Sequence, residues 1–437
     1  MEPLDRWVDR QYRHAANAML LSVSPLGIIK WRPGFGQTIV PKKGSIVASP
    51  VLAAYDPEPD YFFHWYRDSA VVIDALRLLL EDDSARPGAH GQFSDFVRFS
   101  LSLLDVDGRA LVATPAWRTK VAQDFTKFLR TDADLASVHG EAVAAETRVN
   151  PDGTLDISSW PRPQNDGPAL RALTLLRWQR STHFDPDLSA AVSALLTADL
   201  AFTRKRWRDP CFDIWEEEKG LHYYTLCVAA AALEAGAGWL DEHGNGQEAQ
   251  AAGTEAEAIR RRLDAYWVAD QGYYKSRVLE SGQRSAKELD IAVILATLHG
   301  SGSGNTHSVH DARMHATLAR LEALFDAAYP INRDRPPTRA PAMGRYAGDS
   351  YYSGGAYYFS TLAAAEFCFR AAVGAGGAQE LVKRGDAFLE TVRRFTPPSG
   401  NLSEQFDQRT GAQTSARHLA WSYAAFISCI VARRAVV

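Results

Sequence analysis

Apolar residues return every three or four positions in segment after segment of the chain: Val8, Tyr12, Ala15 and Met19; Tyr224, Cys227, Val228, Ala231 and Ala232; Met314, Leu318, Leu321 and Phe325; Tyr358, Leu362, Ala365 and Phe369. That period gathers each set on one side of a helix and predicts helices packed through those sides. About a dozen such segments follow one another with no Ser/Gly linker between them, so one all-α domain over 1–437 is the expectation. No short repeat of the solenoid kind accompanies them. Strand signals are few, and the run Ser45-Ile46-Val47-Ala48, bounded by Gly44 and Pro50, is the β-like one. Between the helices lie stretches rich in Gly, Pro, Asp and aromatics at 31–63, 146–168, 207–220, 329–357 and 396–414. They are long for connections in a compact domain. Long loops on a helical scaffold are where a site is built.

Composition narrows the function classes. The net charge of −4 arises from 48 Lys+Arg and 52 Asp+Glu mixed along the chain, so no phosphate-tracking surface is implied and nucleic acid is excluded as a partner. Cys211, Cys227, Cys368 and Cys429 are scattered without a C-x-x-C pair and read as small buried hydrophobes. The start, Met1-Glu2-Pro3-Leu4-Asp5, lacks the pattern of a signal peptide, and no run of about 18 apolar residues occurs. The expectation is a soluble cytoplasmic chain, monomeric and not associated with a membrane.

Four segments carry chemistry. In Tyr61-Phe62-Phe63-His64-Trp65-Tyr66-Arg67-Asp68 a run of rings meets an adjacent Arg and Asp. Rings cover the C–H face of a pyranose, while a guanidinium and a carboxylate take its hydroxyls. The plain alternative is a core-facing helix start capped by Asp68. Next, Trp160-Pro161-Arg162-Pro163-Gln164-Asn165-Asp166-Gly167-Pro168 describes a stiff loop feeding a helix, with Asp166 able to cap it and Trp160 either packed or stacked on a ligand. In Asp213-Ile214-Trp215-Glu216-Glu217-Glu218 the acids could merely complement a helix dipole. Trp215 argues otherwise, because a carboxyl pressed on an indole is desolvated, keeps its proton and can serve as general acid. Finally, Asn401-Leu402-Ser403-Glu404-Gln405-Phe406-Asp407 precedes Ser415-Ala416-Arg417-His418-Leu419-Ala420-Trp421-Ser422-Tyr423. Polar neighbours would leave Glu404 ionised and fit for general-base work, unless it only bonds nearby backbone N–H groups. Hydrolysis of a glycoside without a covalent intermediate needs such a pair about 6.5–9.5 Å apart, with room for a water.

In this order the four segments resemble the catalytic domain of fungal-type glucoamylases, glycoside hydrolase family 15. The likeness runs from Leu4-Asp5-Arg6-Trp7 and Gly44-Ser45-Ile46-Val47-Ala48-Ser49-Pro50 through Pro59-Asp60-Tyr61-Phe62, Arg162-Pro163-Gln164 and Gly344-Arg345-Tyr346-Ala347-Gly348-Asp349-Ser350-Tyr351-Tyr352. It closes on Leu402-Ser403-Glu404-Gln405-Phe406-Asp407 and Trp421-Ser422-Tyr423-Ala424. The resemblance implies an (α/α)6 barrel and exo-acting, inverting release of β-D-glucose from α-1,4-glucans, with no cofactor. It assigns Glu216 as general acid and Glu404 as general base, and gives Arg67 and Asp68 the terminal glucose. Tyr61 matches the platform beside the glycosyl cation, and Trp160, Trp215 and Trp421 match rings lining the funnel. Arg345 matches a hydroxyl-binding cation, Tyr351 a pocket ring, Glu217 a contact to the next sugar, and Asp349 a group orienting Arg345.

The chain departs from the family pattern at Lys219 (commonly Asn), Tyr357 (commonly Trp) and Asn165 (commonly Arg), which leaves linkage and chain-length preference open. No Ser/Thr-rich linker or starch-binding module follows the last helix, so soluble maltodextrins are the expected substrates. Two rivals stand beside this reading: the same machinery on isomalto-oligosaccharides, dextran or trehalose, and a non-catalytic sugar-binding barrel. His307-Ser308-Val309-His310 with His315 has metal-ligand spacing but is read as surface imidazoles on a loop entering a helix.

Overall fold

The computed structural model describes residues 2–55, 57–82, 88–300 and 304–437. Among the described residues, twelve helices of two turns or more run in chain order: α1 (Leu4–Leu20), α2 (Tyr66–Glu81), α3 (Ala89–Leu103), α4 (Asp166–Ser181), α5 (Pro186–Arg206), α6 (Tyr223–Glu242), α7 (Gly246–Leu263), α8 (Ala292–His299), α9 (Ala312–Ala328), α10 (Tyr358–Ala372), α11 (Ala378–Phe395) and α12 (Ala420–Arg434). The even-numbered helices touch in sequence, α2 to α4, α4 to α6 and onward to α12, which returns to α2 and closes a ring. Odd-numbered helices lie outside it: α7 against α6, α11 against α10, and α1 against α12. The chain is an (α/α)6 barrel.

Side-chain patterning sorts the helices into these two layers. α7 buries Ala249, Ala252, Ala256, Ile259 and Leu263, one stripe at helical spacing, and leaves its other face to water. In α10 every residue from Tyr358 to Phe369 is buried, as a helix with neighbours on both sides requires. All four cysteines are buried and free. No helix among the described residues is long and apolar enough to cross a membrane.

At none of the six inner helices does the capping residue itself bond the first turn through its side chain, though Asp290, one place earlier at α8, accepts the Ala292 N–H at 2.8 Å. Neighbouring loops take that role through the backbone: Tyr66, Tyr223 and Ala420 donate their N–H groups to the carbonyls of Thr147, Ser276 and Ala48. Asp68 and Asp166 are therefore not caps. They lie inside the first turns of α2 and α4, whose capping positions belong to Trp65 and Asn165.

Short antiparallel ladders lead into three inner helices. His64–Trp65 pairs with Arg148–Val149 before α2. Lys219–His222 lies between Cys211–Phe212 and Arg277–Leu279 before α6. Ala356–Tyr357, Ser403–Phe406 and Gln413–Arg417 form a third ladder before α10. The expected strand at Ser45–Ala48 does not form, because only Ile46 makes a bridge, to Val23. Its remaining N–H groups go to scattered acceptors, among them Ile46 N–H to His64 Nδ1 and Ala48 N–H to Phe63 O, each at 3.0 Å.

α4 approaches α2 through Gly167, where a Cβ would stand 2.6 Å from the Cβ of Tyr66 and 3.6 Å from the N of Arg67. Gly167→Ala should push the two first turns apart and cost about 1–3 kcal/mol, read as a lower urea midpoint at unchanged slope. An unchanged midpoint would mean the two helices have room to part.

Candidate active site

Loops and first turns at one end of the barrel enclose a cavity lined by Ala48, Tyr61, Trp65, Arg67, Asp68, Ile214, Trp215, Glu216, Arg345, Phe359, Glu404, Leu419 and Trp421. Glu216 and Glu404 come from different loops and meet on its wall. Trp215, Phe359 and Trp421 lie nearly parallel, with Phe359 and Trp421 stacked at 4.7 Å and 8°. The same two rings also wall a polar hollow along the barrel, lined by Asp74, Arg177, His299 and Glu366 among others, so the stack separates the two spaces. A hollow of about 1000 Å³ beside Phe202, Lys205 and Gln250 shares no residue with the cavity.

Glu216 accepts hydrogen bonds from the Trp65 indole at 2.8 Å, the Trp160 indole at 2.5 Å and Arg67 Nη2 at 3.3 Å. Its φ of +65° is left-handed, a conformation that favours glycine and persists where surrounding bonds over-determine it. Asp213 supplies those bonds. Its Oδ1 accepts the N–H groups of Trp215 at 2.8 Å and Glu217 at 3.2 Å, its Oδ2 that of Glu218 at 3.2 Å, and its carbonyl that of Glu216 at 2.9 Å.

Behind this turn, buried Arg277 donates to Asp213 Oδ2 at 2.6 Å, to Glu218 at 2.9 Å and to Asp290. Asp290 in turn accepts the Trp215 indole at 2.9 Å. Burial pushes Asp290 up to about 6 despite Arg277. The sequence set Glu216 against the Trp215 indole; the indoles that hydrogen-bond Glu216 are those of Trp65 and Trp160, while Trp215 donates to Asp290.

Arg67 sits between three acids: Asp68 at 3.3 Å, Asp166 at 3.6 Å and Glu216 at 3.3 Å. Burial raises Asp68 to about 6, with Arg67 pulling the other way. Arg67 Nε and Nη1, Asp68 Oδ2 and the Trp421 indole N–H have no hydrogen-bond partner among the described residues. These four polar positions come from side chains that line the cavity, which suits a hydroxyl-rich ligand.

Arg345 is held by Asp349 through two bonds of 2.7 and 2.6 Å and reaches Glu217 at 3.0 Å. Lys287 at 2.7 Å and the Tyr346 hydroxyl complete the grip on Glu217. Tyr61 and Tyr351 share a hydroxyl contact of 2.8 Å, and Tyr61 donates to Glu404 at 3.4 Å. Ser415 donates to the other oxygen of Glu404.

Burial pushes Glu404 up to about 7, against the lowering effects of Ser415 and Arg345. This corrects the expectation that polar neighbours keep it ionised. Its strand alternates, so Gln405 turns away to Tyr357 and Tyr351 while Ser403 bonds the carbonyl of Gln405. Of the family departures, Tyr357 and Asn165 are buried, and Lys219 is exposed beside Glu280. His307 is buried against Tyr223 and not at the surface, and His315 bonds the Val309 carbonyl. No cluster of three metal-ligating side chains occurs among the described residues.

The family model of glycosyl hydrolases family 15 matches residues 117–384 and 377–431. The chain belongs to glycosyl hydrolases family 15. It is 26% identical to Glucoamylase 1 of Rhizopus oryzae over 98% of this chain and 71% of that protein. It is 28% identical to a probable glucoamylase of Schizosaccharomyces pombe over 99% of this chain and 92% of that one. Among solved structures, the family 15 glucoamylase of Hypocrea jecorina superposes with a TM-score of 0.82 at 24% identity, covering 100% of this chain and 73% of that one. The Saccharomycopsis fibuligera glucoamylase gives 0.79 at 20% identity, covering 99% and 96%. These two likenesses concern the fold.

In this family 15 hydrolase the structure brings Tyr61, Arg67, Asp68, Trp160, Trp215, Glu217, Arg345, Asp349, Tyr351 and Trp421 close to one another and to the two glutamates. Sequence reasoning gave no role to Trp65, Asp213, Ser415, Arg277 or Asp290. The first three stood within segments already singled out, whereas no local pattern marks Arg277 and Asp290. Arg277→Met strands Asp213 and Asp290 as buried charges and should cost about 3–5 kcal/mol in a calorimetric unfolding scan. Wild-type stability in that variant would mean the two acids are neutralised from elsewhere.

Proposed function

We propose that this hydrolase is a glucan 1,4-α-glucosidase that removes glucose from the non-reducing ends of α-1,4-linked glucans with inversion. The observation that carries the proposal is the meeting of Glu216 and Glu404 on one cavity whose wall includes the Arg67–Asp68 pair. A cavity separated from the barrel interior by stacked rings accepts a chain end and not a chain middle. Arg67 and Asp68 offer donors and an acceptor for the terminal hydroxyls. The names of the curated relatives support α-glucan as the substrate.

Surroundings divide the roles of the two acids. A water attacking the anomeric carbon must hand one proton to a base and rest its other on an acceptor. Glu404, with the hydroxyls of Tyr61 and Ser415 on its oxygens, offers both. Glu216 is ringed by donors, two indoles and a guanidinium, which stabilise the carboxylate left after its proton passes to the glycosidic oxygen. The glucosyl–oxygen bond breaks as that proton arrives, and water adds from the opposite face to give β-glucose. Tyr61 and the indoles flank the developing cation.

NMR of the anomer first released from maltotriose should show β-glucose, and α-glucose would end the inverting scheme. Glu216→Gln and Glu404→Gln should each lose about 10²–10⁴-fold in kcat with ligand binding retained. Near-normal turnover in either would remove that residue from its role.

The pH profile gives a separate check. Glu404 must be ionised to act as base, and its carboxyl sits at about 7 in the free protein. The acid limb of kcat/KM should therefore lie near pH 7, well above an ordinary carboxylate. Ser415 favours the ionised form, so Ser415→Ala should move the limb to higher pH. A limb near pH 4 that ignores this substitution would contradict Glu404 as base.

A further inference from the structure

Glu216 is under opposing demands. The Trp65 and Trp160 indoles and Arg67 all donate to its carboxyl, and every one of them favours the ionised form. A general acid has to reach the glycosidic oxygen with its proton still on. The conflict is sharp in this site, because burial pushes Glu404 up to about 7, so the base is ionised only where an ordinary glutamic acid has already lost its proton. Asp213, which shapes the Glu216 turn, is committed to Arg277 and to the backbone of the turn.

Three acids share one cation beside that turn. Arg67 Nη2 stands 3.3 Å from Asp68 and 3.3 Å from Glu216, and Nη1 stands 3.6 Å from Asp166. Asp68 lies on the cavity wall, within reach of a ligand. Asp166 is 0% exposed and is not among the residues lining the cavity. Both of its carboxylate oxygens, and Arg67 Nη1 opposite them, lack a hydrogen-bond partner among the described residues. The two groups therefore meet as charge against charge, at a distance too long for a hydrogen bond. Burial pushes Asp166 up, while Arg67 pulls it back and the first turn of α4 favours its negative charge. Tyr224 of α6 and the Cys211 thiol also lie within its electrostatic reach, and burial keeps both neutral, Cys211 at about 12. On the Glu216 side burial keeps Tyr61 neutral in the same way.

We propose that Asp166 is a positioning residue for the general acid: it draws the charge of Arg67 toward itself and sets a negative charge behind it, and so opposes loss of the Glu216 proton before transfer. A carboxylate already on the guanidinium makes a further ionisation in the same cluster costlier. Taking that charge away should make Glu216 the stronger acid. The inference rests on the glucosidase reading for the role of Glu216, whereas the coupling of the two carboxyls does not depend on it.

The test is Asp166→Asn, which keeps the shape and removes the charge. NMR of labelled side-chain carboxyls in the ligand-free protein follows the Glu216 proton directly, its signal being the one lost in Glu216→Gln. The Glu216 midpoint should fall by about one pH unit in Asp166→Asn, a tenfold loss of proton affinity, and the alkaline limb of kcat/KM for maltose should move down with it. Asp166→Glu restores the charge and should bring both back toward the intact protein. A merely structural Asp166 would lower the thermal midpoint in both variants and leave the Glu216 midpoint in place. If Asp166→Asn does not fold, the intact protein still decides, because the Asp166 signal should show a second inflection at the Glu216 midpoint that Glu216→Gln removes. An unmoved Glu216 midpoint, or a one-step Asp166 signal, would overturn the proposal. The titration uses no substrate. An intact protein that hydrolyses nothing would thus end the glucosidase reading and leave the role of Asp166 to the NMR.

Discussion

The first turns of the six inner helices converge on one end of the ring, and much of the site's chemistry follows from that convergence. Asp68 and Asp166 lie in the first turns of α2 and α4, Asp290 just ahead of α8, and Trp421 in the first turn of α12. Each helix brings the positive end of its dipole, and N–H groups with no partner inside the helix, to the same place, where carboxylates are favoured. Cations mark the opposite end, where Arg177 and Arg370 donate to the carbonyls of His299 and Leu298 at 2.8 and 2.9 Å.

Within that acid-rich end, arginines decide which carboxyls are easily ionised. Asp156 is fully buried yet held well below the usual carboxylate range, because Arg148 and Arg162 both reach it. Glu404 is also buried, but its direct hydrogen-bond partners are hydroxyls, and burial prevails. Arg67, Arg277 and Arg345 are each already shared among acids, so none is free to neutralise it. A base whose proton is poised near neutrality is thus a product of where the guanidinium groups are spent.

Much of this was legible in the chain. The 3.6-residue period located the helices, and the long loops carried Tyr61, Trp160, Glu216, Arg345 and Glu404 to the site. Three readings failed for one physical reason: adjacency in sequence does not set direction in space. Trp215 is covalently next to Glu216 but donates to Asp290. Ser403 and Gln405 flank Glu404 but alternate away from it. Asp166 has the residue type of a cap and lies one position too late, facing Arg67. Arg277 and Asp290 had no local mark, because their importance exists only once the strand Arg277–Leu279 lies beside Lys219–His222.

The Phe359–Trp421 stack has a kinetic corollary. It stands between the cavity and the hollow along the barrel, and both spaces share those two rings as wall. On the glucosidase reading, a glucose seated against that wall would leave on the side from which its chain came, after the shortened chain withdraws. Such an enzyme would work distributively, taking one sugar per visit.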